Sequence, residues 1–89
     1  MYSSLPGYEF AMKYKYELYT FAGDHHQAHY QKDNIQLEVK IDGDRLLARL
    51  YTYVKLVRCE IGWFSLPNRN FRIFEIQIRN ILNATGEQE

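Results

Sequence analysis

A single cysteine, Cys59, is all the thiol that this chain of 89 residues carries. It cannot close an internal disulfide, so the stapled frameworks of small secreted domains are excluded and a reducing, cytoplasmic setting is expected. Only two prolines are present and the five glycines stand apart from one another, so there is no glycine-rich loop of the kind that cradles phosphate. No apolar run approaches the ~20 residues needed to span a bilayer. The opening MYSSLPGYEF lacks the basic-then-apolar layout of a secretory signal. Beginning at Met with no tag-like run, the chain is expected to be a complete small protein, one domain over residues 1–89 whose tail, 83–89, frays.

What the chain has in quantity is aromatic surface. Hydrophobic residues make up 46% and aromatics 16%, with eight tyrosines, enough to build a core and to exclude a disordered chain. Tyrosine favours half-buried positions and interfaces, so much of this surface is expected at the boundary of the core. The net charge is zero but unevenly spread: residues 1–44 carry four Lys against seven Asp or Glu, and residues 45–79 carry seven Lys or Arg against two Glu. A whole-molecule attraction to nucleic acid is therefore not expected, while a basic face remains open.

Period-two patterning dominates. In YEFAMKYKYEL, Tyr8, Phe10, Met12, Tyr14, Tyr16 and Leu18 alternate with Glu9, Lys13, Lys15 and Glu17, which predicts a half-buried strand over 8–18. Its rival is a helix, because Glu9, Lys13 and Glu17 also repeat at every fourth residue. Ile35, Leu37, Val39 and Ile41 alternate with polar residues and lead into Asp42-Gly43-Asp44, a tight-turn signal. A return strand follows with Leu46, Ala48, Leu50, Val54 and Leu56 on the core parity, against a helical rival over 46–61 that Gly62 would end. FRIFEIQIRN alternates again and predicts a last strand, although Phe71, Phe74, Ile78 and Ile81 also suit a helix. Four strands and a short helix predict an α+β domain: a curved antiparallel sheet of about four strands with one or two short helices. So little helix covers one sheet poorly, which predicts that the sheet curls, gains a helix near 56–66, or pairs with a second copy as a homodimer.

Ala22-Gly-Asp-His-His-Gln-Ala-His places three histidines within five positions. Asp24 as a cap predicts a short helix here, on which His25 and His29 lie one turn apart and His26 and His29 form a second pair, a spacing that suits a shared metal ion. A zinc site needs three or four ligands, and no further His, Cys or carboxylate stands at a diagnostic spacing. A solvated helix with histidines facing water explains the same residues. Cys59, between Arg58 and Glu60, has no evident base to activate it, and the serines occupy no nucleophile elbow. The chain is accordingly expected not to be an enzyme and to need no cofactor.

Two surfaces remain. If the strands hold, the side of the sheet away from the core gathers Lys13, Lys15, Lys40, Arg45, Arg49, Lys55 and Arg79 against Glu9, Glu17, Glu38 and Glu75, with Tyr19, Tyr51 and Tyr53 interleaved. Rings that stack on bases and cations that hold phosphates are the ingredients of a single-stranded nucleic-acid binder, with Arg49, Tyr51, Tyr53, Lys55, Lys13 and Lys15 as its contact residues. Cross-strand Lys–Glu and Arg–Glu pairs that solvate an open sheet face explain the same pattern. The second surface is EIGWFSLPNRNF, read as a turn crowded by Trp63, Phe64 and Leu66 and flanked by Arg58 and Arg69, residue types that anchor protein interfaces. The leading expectation is a small non-enzymatic protein-binding module using this second surface, an adaptor, regulator or inhibitor of the kind that a virus or mobile element encodes. Single-stranded nucleic-acid binding comes second, metal binding through His25, His26 and His29 third, and no membrane partner is expected.

Overall fold

The computed structural model describes residues 2–86, without the side chain of Tyr2. After a 3-10 turn at Tyr2–Ser4 come helix α1 (Tyr8–Lys13), strands β1 (Glu17–Phe21), β2 (Gln27–Lys32), β3 (Ile35–Asp42), β4 (Arg45–Val54) and β5 (Val57–Leu66), and helix α2 (Phe71–Thr85). The strands form one open antiparallel sheet in the order β1-β2-β3-β4-β5. The fold is α+β, with a five-stranded meander in which every strand pairs with its sequence neighbour.

The central hairpin is the one the Asp42-Gly43-Asp44 signal predicts: Asp42 pairs with Arg45 and the register runs without a shift to Ile35 and Thr52. Leu37, Val39, Leu46, Ala48 and Leu50 point to one side, where Ala28 and Tyr30 of β2 and Phe64 and Leu66 of β5 join them. Both helices pack on that side. α1 contributes Phe10 and Ala11, and α2 contributes Phe74, Ile78 and Leu82, all to one core. The ring of Phe74 meets Phe10 at 5.6 Å and Phe64 at 5.4 Å, both edge-on, so one residue of α2 ties α1 to β5. At the helix margin the Lys13 ammonium donates to Glu75 Oε2 at 2.8 Å and the Tyr14 hydroxyl donates to the same oxygen. Arg79 in turn donates to the Tyr14 hydroxyl at 3.1 Å. These bonds hold the Glu75 carboxyl below its ordinary range and the Lys13 ammonium above its own.

Several sequence expectations are corrected. Residues 8–18 are not one strand: α1 ends at Lys13, and β1 begins only at Glu17. α1 enters from Gly7, whose φ of 79° is left-handed and whose Cα lies so close to Val39 that a Cβ would stand 2.8 Å from its Cγ2. The last predicted strand, over 71–80, is helical and runs to Thr85, with the Asn70 side chain accepting from Ile73 N at 3.0 Å as its N-cap. The tail from 83 is therefore helical as far as Thr85, and residues 87–89 lie outside the described residues. The histidine segment is not a helix. Asp24 accepts from His26 N at 3.1 Å within the β1–β2 turn, His25 has φ 62°, and β2 starts at Gln27. Residues 57–66, read partly as a turn, are the ten-residue strand β5. Among the described residues no helix is long and apolar enough to cross a membrane.

Candidate functional site

With both helices on one side, the other side of the sheet is uncovered, and the register assigns its residues. Glu38 faces Arg49, Gln36 faces Tyr51, Arg49 faces Trp63, and Tyr53 faces Arg58. All of these point away from the core. Trp63, the chain's only tryptophan, is 60% exposed there. It shares a shallow hollow with Leu47, Arg49 and Glu60.

Beside it lies an ordered polar layer. The Arg58 guanidinium stacks on the Tyr51 ring at 4.1 Å and donates to Gln36 Oε1 at 3.2 Å. The Tyr51 hydroxyl beside Arg49 raises the pKa of that guanidinium. Glu38 accepts from Gln27 Nε2 at 3.1 Å and stands 3.4 Å from His29 Nε2. Arg45 Nε donates to Ser65 Oγ at 2.8 Å. Neighbouring strands from β2 to β5 are thus cross-linked on the outer face, which fixes side chains that would otherwise be mobile and limits the entropy lost when a partner docks on them.

The sequence-predicted residues divide between elements. Trp63 and Arg58 lie on the outer face of β5, but Phe64 and Leu66 are buried on its inner face beneath α2. A strand turns successive side chains to opposite faces, so Trp63 and Phe64 cannot present a common surface. Arg69 lies in the β5–α2 connection and lines a different hollow, with Ser4, His25 and Ile41. Of the second set, Arg49, Tyr51 and Tyr53 share the outer face. Lys55 lies in the β4–β5 turn, Lys13 is tied to Glu75 in α1, and Lys15 follows α1 beside Glu17. The cations of the outer face are Lys40, Arg45, Arg49 and Arg58, and its anions are Glu17, Glu38, Asp42 and Glu60. The expected excess of positive charge is absent because Lys13, Lys15, Lys55 and Arg79 belong to helices and turns. Tyr51 is 8% exposed beneath Arg58, so its ring has no open face for a base.

The three histidines point apart. His25 Nδ1 is 2.8 Å from Ser4 Oγ and its ring stands edge-on to Phe21. His26 is exposed beside Asp24, and His29 belongs to the outer face. Among the described residues no three His, Cys, Asp or Glu gather as a metal ion requires. Cys59 is half-buried.

Sequence reasoning missed Glu60 and Leu47 as neighbours of Trp63. Leu47 was legible from its parity opposite Leu46. Glu60 was not, because a bulge opposite Leu50 and Tyr51 shifts the phase of β5 between Glu60 and Gly62. A further correction is the β4–β5 turn: Val54 and Leu56, expected on the core parity, are exposed there together with Val57, because β4 ends at Val54 and the chain turns back into β5. Lys55 and Leu56 both take left-handed φ there, at 51° and 69°.

Comparison of the chain with protein-family models, curated proteins and solved structures finds no match.

Proposed function

We propose that this chain works by binding another protein, and that the contact surface is the outer face of the sheet centred on Trp63. One observation carries the reading: the only tryptophan stands largely exposed on strand β5, within a hollow formed with Leu47, Arg49 and Glu60, on the face opposite both helices. Interface energy concentrates in a few Trp, Tyr and Arg residues with an apolar centre and a polar rim. Trp63 and Leu47 supply the centre. Arg49, Glu60 and the Arg58–Tyr51 stack supply a rim already in place. The equal numbers of cations and anions suit recognition by matched charge pairs rather than attraction to a polyanion. Such a face serves an adaptor, regulator or inhibitor that acts by occupying its partner's surface, and the single thiol suits a cytoplasmic setting.

Single-stranded nucleic acid is the weaker reading, since the balanced charge and the covered Tyr51 ring remove two of the ingredients it needs. Capture from source cells with and without nuclease, using the wild-type chain and Trp63→Ala, separates the two. The expected result is a nuclease-resistant protein partner that the folded variant loses. The purified partner should then shift the emission of Trp63 to shorter wavelength. A folded Trp63→Ala chain that keeps every partner overturns the proposal, as does capture that nuclease abolishes.

A further inference from the structure

The two edges of the sheet are treated differently. Each edge strand carries a bulge, at Tyr19 in β1 and at Ile61 in β5, but β1 is only five residues long, and a short strand is a usual means of spoiling an edge for further pairing. β5 is ten residues long and contains neither Pro nor Lys. Among the described residues its only backbone partner is β4. It therefore presents a row of N–H and C=O groups at the margin of the molecule, in a segment that runs regularly from Val57 to Glu60 before the bulge at Ile61.

We infer that this edge is the dimer interface of the protein: β5 pairs antiparallel with β5 of a second copy about a two-fold axis through Cys59, extending the sheet to ten strands. Charge selects both the occupant and the register. Arg58 and Glu60 project from the same face, two residues apart. About Cys59, each Arg58 falls directly opposite Glu60 of the second copy, and its guanidinium, exchanging the bond to Gln36 for that carboxylate, gives the contact two opposite-charge pairs. Moving the axis to Arg58 or to Glu60 sets like charges opposite each other. An edge bearing one sign of charge repels its own copy, whereas this one attracts it.

The same register gathers apolar groups that were not used to choose it. Val57, 61% exposed, falls opposite Ile61 of the second copy. Leu56, 96% exposed at the turn, stands at the outer end of the same contact. The bulge at Ile61 bends each strand away after the paired segment and so sets its length. Because the axis is perpendicular to the sheet, both outer faces lie on one side of the dimer. The inference holds whatever binds the outer face.

Sedimentation equilibrium of the full chain is expected to give twice the 10.7 kDa chain mass. Glu60→Arg and Arg58→Glu, each checked for its fold by circular dichroism, reverse both charge pairs, and each alone should dimerise at least about tenfold more weakly. Mixed together, the two variants should form a heterodimer, since every contact then joins Glu to Arg. A short bis-maleimide should link two wild-type chains through Cys59 and leave Cys59→Ser unlinked. A chain that stays monomeric from micromolar to millimolar concentration overturns the inference. So does a dimer that is indifferent to the charge variants and does not link at Cys59, or an edge that takes up a foreign peptide strand while the chain remains monomeric.

Discussion

The Arg58 guanidinium lies 4.1 Å from the centre of the Tyr51 ring and covers it on a face of the sheet that neither helix reaches. The stack does the work of a third helix over that patch, and it also orders Gln36 through the bond at 3.2 Å. Arg58→Ala is expected to cost about 1 kcal/mol, the worth of a cation–π contact near the surface. Arg58→Lys should recover little, because an ammonium cannot lie flat on a ring and reach Gln36 together. Urea unfolding of the three chains checks this. Equal stability of wild type and Arg58→Ala would contradict it.

Glu75 makes stability depend on acid. Hydrogen bonds from Lys13 and then Tyr14 hold its folded pKa below the ordinary 4.5. A depressed carboxylate contributes stability above its unfolded pKa, and that contribution fades as pH falls through the folded value. Wild type should therefore exceed Glu75→Gln at neutral pH, with the gap closing below the ordinary carboxylate range. Lys13 acts with the opposite sign. Its pKa lies above the ordinary 10.5, so its share is present below that value and fades as pH rises through the folded one. Thermal melting of both chains across the acid range tests the closing gap.

The parts of the fold that sequence made legible are those in which alternation is unbroken. β3 and β4 pair without a shift around a strong turn, and Leu37, Val39, Leu46, Ala48 and Leu50 were readable one by one, whereas Val54 and Leu56, expected inside on the same parity, are exposed because β4 ends at Val54. β1 and β5 each contain a bulge, at Tyr19 and at Ile61, and one extra residue reverses the parity on either side of it. Thus Val57, Cys59 and Ile61 end a pattern that Phe64 and Leu66 resume one step out of phase. α2 failed for a different reason. Its sequence satisfies both periods, and the deciding signals are local: Asn70 as cap, and the spacing of Phe71, Phe74, Ile78 and Leu82. At the candidate site, Trp63 was found for its residue type. Its neighbours Leu47, Arg49 and Glu60 became visible only once register was known.

Tyr30 closes the core over the N-terminal turn. Its ring is buried and its hydroxyl donates to the Pro6 carbonyl at 2.7 Å. Tyr30→Phe keeps the ring but leaves that buried oxygen without its donor, for an expected loss of about 1–3 kcal/mol. Burial also pushes the phenol well above its ordinary 10.0. A raised phenol contributes stability below the ordinary value and loses it as pH rises, so the phenylalanine variant should lack this alkaline loss. Denaturant unfolding at neutral and alkaline pH measures both effects, and an unchanged midpoint at neutral pH would contradict the first.

Gly62 sets the distance between α2 and the edge strand. A Cβ there would stand 2.7 Å from Ile81 Cγ2 and 2.9 Å from its Cδ1, closer than carbon atoms approach. Ile81 is half-buried and β-branched, so clearing that Cβ requires a change of its preferred χ1 or a shift of α2. Gly62→Ala should therefore lift α2 and cost about 1–3 kcal/mol, the usual range for overpacking. Ile81→Ala should cost something by itself, through lost burial. The two changes meet at one contact, so they should not add: the double variant is expected to be more stable than the sum of the single effects predicts. Strict additivity in a double-mutant cycle would mean that α2 does not rest on Gly62.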